Sequence, residues 1–530
     1  MTAAADAREP NRGPLRRHPL RRRPTRRHPA CRRLAAAVAV ALLGAPLAAC
    51  SASGDGGSAT TEARGRATTS APADAGEPDG EGGAATPDPT VEPDEPADPD
   101  AEDVADEVFE GLGDPRIDVQ HYDVTVTANP DEAAIEGEVT ITLRARTAEP
   151  LPSFTLDLAG PAVTAATVDG EAAAVDGDSM PRQVVVTPAE PLEPGTDVDV
   201  TLAYAGTPDT GSFPAGFARV GWQPDDAGGW FSMAEPDGTS TWVPSNDHPS
   251  DKATWSFTLD TPTDWTGVAN GRLVSRERAG DRIEWRWELD RPIPSYTVVV
   301  AVGDYRLEER TGPDGLRIVD AIATGAPAHL DEVAARQDEV IEYFTSRFGP
   351  YPFEDAGVLV VDAELSVALE TATRPLFDRY GLEWALAHEI AHQWYGDSVT
   401  PTTFEHLWLN EGFATYADWL YEDERGTTPL DDDIIFSGGG SGGGGAITDP
   451  DEARTFAETI YTGGATALHA LRRRVGDDAF FDLLARWADE HRYANADTND
   501  LLALAEEVTG QDLDGWRRDW LDAPDRPDHP

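Results

Sequence analysis

The chain has 530 residues, 40% of them hydrophobic, so it is long enough to bury a full core and to divide into about two to four domains. Its formal charge of −55 excludes a nucleic-acid partner, repels anionic lipid and favours solubility. The charge is uneven. Residues 1–33 hold eleven arginines against Asp6 and Glu9, so the rest of the chain is more acidic than the total, and Lys252 is the only lysine.

After the arginines comes an apolar run, "LAAAVAVALLGAPLAA", Leu34–Ala49; its sixteen residues are short for a membrane span and predict an export signal over residues 1–49. The run leads into "LAAC", Leu47 to Cys50, which resembles the bacterial lipobox. That resemblance implies cleavage before Cys50 and a diacylglyceryl group on it, anchoring the protein by lipid to the outer face of the cytoplasmic membrane. A signal peptide or uncleaved anchor with an incidental cysteine is the alternative. With Cys31 in the signal and Cys50 lipidated, the exported body has no thiol for a disulfide. Residues 50–114 are rich first in Ser, Gly, Ala and Thr and then in Pro, Asp and Glu, which predicts a disordered acidic linker.

From residue 115 to 304 the pattern has period two. Val139, Ile141 and Leu143 alternate with Thr140, Thr142 and Arg144, and Val198, Val200, Leu202 and Tyr204 repeat the pattern, which predicts half-buried antiparallel strands in an all-β, saddle- or sandwich-like domain. From 305 to 530 helical spacing takes over, as in Leu330, Val333, Val340, Ile341 and Phe344. The whole is an α+β multidomain protein. A glycine run, Ser437–Gly445, lacks the Gly-Lys-Ser/Thr of a phosphate loop and is read as a surface loop, and Asp431–Asp433 as a solvated turn.

Chemistry concentrates in "WALAHEIAHQWYGD", residues 384–397. On a helix, residues four apart differ by about 40° of rotation, so His388 and His392 project from one face and can reach one ion. Glu389 lies beside them as the general base of an H-E-x-x-H arrangement. Catalytic zinc takes three protein ligands and leaves a place for water, so a third is required. Glu411 follows His392 with eighteen residues between, the spacing a helix–loop–helix needs to fold a carboxylate back onto the first helix. Asp418 lies seven residues, two turns, beyond Glu411 and is placed to orient a zinc-binding imidazole from behind.

His388-Glu389-x-x-His392, eighteen residues and Glu411, with "HQWYGDSVTPTTFEHLWLNEGFATY" around them, resemble the gluzincin signature of peptidase family M1, the aminopeptidase N-like zinc metallopeptidases. The resemblance implies a thermolysin-like, mainly helical zinc-peptidase domain after the β domain, and one Zn2+ per chain. It also implies roles for three further residues. Glu370, in "VALET" where the family has G-A-M-E-N, matches the carboxylate that holds the substrate's free ammonium, with the glycine, methionine and asparagine replaced. Glu235, in "AEPDGTSTW", falls at a second amine anchor. Tyr461, ahead of "TGGATALHAL", falls at the tyrosine that stabilises the oxyanion. His406 and His469 are read as satisfied or surface histidines. The expected activity is removal of N-terminal residues from peptides outside the membrane, without nucleic acid as partner. The alternatives are a zinc endopeptidase of the same type and a catalytically silent surface scaffold. Epoxide hydrolysis occurs in a branch of the family, but nothing in the sequence selects it.

Overall fold

The computed structural model describes residues 106–129, 133–212, 219–226, 228–365, 367–436, 445–527 and 530. The signal, Cys50 and most of the linker lie outside these, as does the glycine run apart from Gly445.

Period-two alternation builds an eight-stranded sheet. Its central strand, Ile117–Ala128, pairs antiparallel with Ile135–Ala145 and parallel with Ala253–Pro262. Val139, Ile141 and Leu143 are buried while Thr140, Thr142 and Arg144 are half-buried, so one face of the pleat is core. A five-stranded sheet, running from Thr210–Ser212 through Arg219–Pro224, Gly229–Met233 and Val300–Gly303 to Thr266–Ala269, shares that core with it, as does a three-stranded sheet of Phe154–Asp157, Gln183–Thr187 and Ala174–Asp176. Glu235 emerges two residues past the end of Gly229–Met233.

Beyond Asp304 the sequence reading expected helices, and the structure first adds another sheet. Tyr305–Thr311 pairs antiparallel with Arg317–Ala323, which runs parallel with Leu359–Val361 and, through it, Leu376–Asp378. These strands escape the alternation test because they are short and covered on both faces, Leu359, Val360 and Val361 all being buried. The helices are α1 (Leu330–Ala334), α2 (Gln337–Phe348), α3 (Gly381–Ala391), α4 (Trp408–Arg425), α5 (Leu430–Phe436), α6 (Gly464–Val475), α7 (Asp477–Glu490), α8 (Thr498–Thr509) and α9 (Asp514–Arg517). An aromatic row links α2, the turn after α3 and α4: the Phe348 and Tyr395 rings lie 5.1 Å apart and those of Tyr395 and Phe413 4.9 Å apart. Among the described residues no helix is long and apolar enough to cross a membrane.

Two sequence expectations are corrected. The linker was expected to run to residue 114, but residues 106–114 pack. Asp106 and Val108 are buried, Phe109 meets the Phe404 ring edge-on at 5.0 Å, and the Asp106 carboxylate accepts from the amides of Val108, Phe109 and Phe404. Val108, Phe109 and Leu112 supply the apolar surface that the rest of the linker lacks. Asp431–Asp433 are not a free turn but the first turn of α5, where the helix dipole favours carboxylates.

Candidate metal centre and its surroundings

His388 stands on the last turn of α3 and His392 caps its C-terminus. The chain then folds back, and His392 Nδ1 donates to the Tyr395 carbonyl at 3.1 Å, which leaves the Nε2 lone pair bare. Gly396 permits this reversal. Its φ is +132°, and a Cβ there would lie 3.3 Å from His392 Nδ1. Glu411 sits in the first turn of α4, which packs against α3 and brings a carboxylate stabilised by the helix N-terminus onto the two imidazoles.

The three ligand atoms form a small triangle. His388 Nε2 lies 3.1 Å from Glu411 Oε2 and 3.1 Å from His392 Nε2, and His392 Nε2 lies 3.5 Å from Glu411 Oε2. Bonds of about 2.0–2.2 Å to a tetrahedral ion set ligand edges at about 3.3–3.5 Å, so the donor set fits zinc in both chemistry and size. The electrostatics agree. Burial lowers His392, but Glu411, Glu370 and Glu389 together outweigh it and raise the imidazole to about 10, and Glu411 is held below the usual carboxylate range by His392 and His388 despite its burial. The pocket therefore draws a positive charge into the triangle.

Glu389 is buried, and burial, then Glu370 and Glu411, push its carboxyl well up; a dication held by the triad acts in the opposite sense. Glu370 and Glu235 are each 3% exposed, each keeps one buried carboxylate oxygen without a partner among the described residues, and together with Glu411 they place oxygens within 4.8 Å of one another. Burial lifts Glu370 to about 7, and burial together with Glu370 and Glu411 raises Glu235 well above the usual carboxylate range. Two crowded carboxylates with orphan oxygens form a receptor for a small cation. Tyr461 lies in a π-helical turn, Thr459–Gly463, ahead of α6, with its ring stacked on His388 at 6.2 Å and 17°.

Asp418 departs from expectation. It carries no hydrogen bond to either imidazole among the described residues. It is half-buried on α4, and its charge acts on Glu389 rather than on a ligand. The orienting bond on His392 comes from the Tyr395 carbonyl instead, because the chain reversal at Gly396 brings main chain to that nitrogen first. His406 bonds Thr498, and His469 bonds Tyr416 through Nδ1 while its Nε2 is buried without a partner among the described residues; neither reaches the triangle.

Several supporting groups were missed. Gln393 accepts from the Thr373 amide at 2.7 Å and the Tyr351 hydroxyl at 3.2 Å, tying the segment that carries Glu370 to the end of the histidine helix. Tyr296, from the β domain, accepts from Asn410 Nδ2 at 2.8 Å and donates to the Gly396 carbonyl at 3.2 Å, bracing the residue before Glu411. Lys252 Nζ donates to the carbonyls of Asp397 and Ser398 at 3.1 and 2.8 Å, and burial lowers it to about 7. Its status as the chain's lone lysine was the one available signal; pairs 20 to 146 residues apart leave none in the local pattern.

Comparison with known proteins agrees with this geometry. Residues 118–297 match the peptidase M1 N-terminal domain and residues 339–435 the peptidase family M1 domain. Aminopeptidase N of Streptomyces lividans is 27% identical over 420 residues, which cover 69% of this chain and 46% of that protein, and aminopeptidase 2 of Candida albicans is 24% identical over 430 residues, covering 74% and 46%. The chain thus spans about half the length of these curated relatives. A solved M1 zinc metallopeptidase of Deinococcus radiodurans, in a mutant form bound to a Tyr-Ser-Ala substrate, superposes with a TM-score of 0.75 at 32% identity, covering 80% of this chain and 98% of that one. A two-domain M1 zinc metallopeptidase bound to L-tryptophan gives 0.74 at 32% identity, with the same coverage. With its β domain, helical domain and histidine–glutamate triangle in this order, the chain belongs to peptidase family M1.

Proposed function

We propose that the protein is a zinc-dependent aminopeptidase, held by a lipid on Cys50 at the outer face of the membrane. The observation that carries the reading is the pair of orphan carboxylates, Glu235 and Glu370, beside a triangle sized for zinc. A cation receptor next to the reacting centre suits the free ammonium of a peptide and limits cleavage to the chain end.

His388, His392 and Glu411 would hold the ion. When bound, zinc supplies Lewis acidity, polarising the scissile carbonyl and acidifying the attacking water. Glu389 takes that water's proton and passes it to the leaving amine. The Tyr461 hydroxyl, beside His388, donates to the oxyanion as charge develops there. Glu370 and Glu235 fix the ammonium one residue from the cleaved bond.

The test is hydrolysis of matched free-amine and N-acetylated fluorogenic peptides by zinc-loaded protein, with a chelator control. Release from free-amine peptides alone, abolished by chelation, is expected. Equal cleavage of acetylated peptides would establish an endopeptidase, and bound zinc without hydrolysis a scaffold. For the anchor, fatty-acid incorporation in cells that is lost in Cys50→Ala is expected; its persistence in the variant would exclude that attachment.

A further inference from the structure

Helix α3 buries Gly381, Leu382, Ala385, Leu386, Ala387, Glu389, Ile390 and Ala391, leaving only Glu383, Trp384 and His388 to open outward. Exposure grades along its axis. The His392 side chain, past the C-terminal end, is 1% exposed and His388 19%, while Trp384 is 49% exposed and Tyr380, at the N-cap, 60%. Few other large hydrophobics are as open among the described residues, and the Trp384 ring shows no stacking or hydrogen-bond partner there. Trp384 precedes His388 by four residues, so the two share a face one helical turn, about 6 Å, apart.

The amine receptor lies at the closed end of this gradient. Gln393, the residue after His392, donates from Nε2 to the Glu370 carbonyl at 3.4 Å. A peptide whose ammonium is held there must leave past His388 toward the open end of α3. An extended chain advances about 3.3 Å per residue, so one helical turn spans about two residues. A large aromatic surface left in water on the exit path is a stacking partner for an apolar side chain.

We infer that Trp384, flanked by Tyr380, is a specificity platform for the leaving part of the substrate, stacking on an aromatic or large apolar side chain at the second residue of the peptide. This rests on the aminopeptidase reading for the direction of the peptide. It adds a preference beyond the cleaved residue, which neither the metal triangle nor the amine receptor supplies.

The test compares full-length Trp384→Ala and Trp384→Phe with the parent protein, all zinc-loaded, on Ala-Phe-Ala and Ala-Gly-Ala. In parallel, calorimetry measures binding of both peptides to Glu389→Gln with and without Trp384→Ala, and melting temperature monitors folding. Trp384→Ala is expected to reduce kcat/KM for Ala-Phe-Ala about tenfold more than for Ala-Gly-Ala and to weaken binding by a similar ratio, while Trp384→Phe recovers most of both. Equal losses on the two peptides, or none, would overturn the platform. The binding arm separates the two readings: if the parent releases no alanine from either peptide yet binding of Ala-Phe-Ala still depends on Trp384, the aminopeptidase reading falls and the platform stands. Binding indifferent to Trp384 sinks the platform whatever the hydrolysis shows.

Discussion

Gly412 on α4 and Gly464 on α6 face each other so closely that a Cβ built on either would lie 2.9 Å from the other's Cα. The contact sits one residue after Glu411 and three after Tyr461, so it sets how near the ligand helix comes to the tyrosine's turn. Gly412→Ala should push the helices apart, cost about 1–3 kcal/mol and lower activity through Tyr461. Thermal melting and kcat/KM measure this, and Gly412→Ala with Gly464→Ala should be clearly non-additive. A variant as stable and active as the parent would mean that the helices slide freely here.

Glu389 lies among the ligands without being one, so metal binding and turnover should separate. Glu389→Gln should retain about one zinc per chain and the rise in melting temperature that zinc confers, while kcat falls by about 10²–10⁴-fold. Elemental analysis with single-turnover assays checks both halves. Loss of the metal along with activity would reassign the residue to structure.

The amine receptor makes its own demand. Glu370→Gln should lower kcat/KM on free-amine peptides by about 10- to 100-fold, in line with about 1.5–3 kcal/mol for a hydrogen bond to a charged group. Because Glu235 and Glu370 crowd each other, Glu235→Gln in the same chain should cost less than it does alone. Independent effects of the two would show that they hold different things.

Two buried carboxyls of the β domain should each lose their stabilising protonation as the pH rises toward neutral. Burial lifts Asp247 to about 7, with Asp157 adding to it, and lifts Asp157 to about 6 despite its hydrogen bonds. Between the ordinary value near 3.8 and these raised values the folded state binds more protons than the unfolded one, so stability falls as pH rises through that window, by at most about 1.4 kcal/mol per unit for each group. Asp247→Asn isolates the effect. Its carboxamide can still accept from the Ser240 amide and can donate to Ser295, so its melting temperature should decline less between pH 5 and pH 7 than the parent's. Identical slopes would mean that Asp247 is ionised in the folded protein throughout.

Local pattern carried much of this structure. Strand alternation at Val139–Leu143 and the spacing of His388, His392 and Glu411 each report on a single element or a short pair, where periodicity translates directly into facing. The resemblance at Glu370, Glu235 and Tyr461 pointed to residues that the fold brings around the same centre. What stayed hidden depends on distant chain segments. The short two-faced strands Leu359–Val361 and Leu376–Asp378 have no alternation to display. Tyr296 meets Asn410 across 114 residues, and the bond on His392 Nδ1 comes from the Tyr395 carbonyl rather than from Asp418.

Asp106 bonds the Phe404 amide at 2.7 Å, and Phe404 opens the turn that feeds straight into the helix bearing Glu411. The first described residues are thus stitched to the threshold of the metal centre, some three hundred positions downstream. A shortened form made for crystallography or assay has to begin upstream of Asp106. Trimming at Pro115, where strand alternation starts, would strip the carboxylate from that amide and the Phe109 ring from its neighbour, loosening the floor beneath a zinc ligand while every catalytic side chain stayed in place.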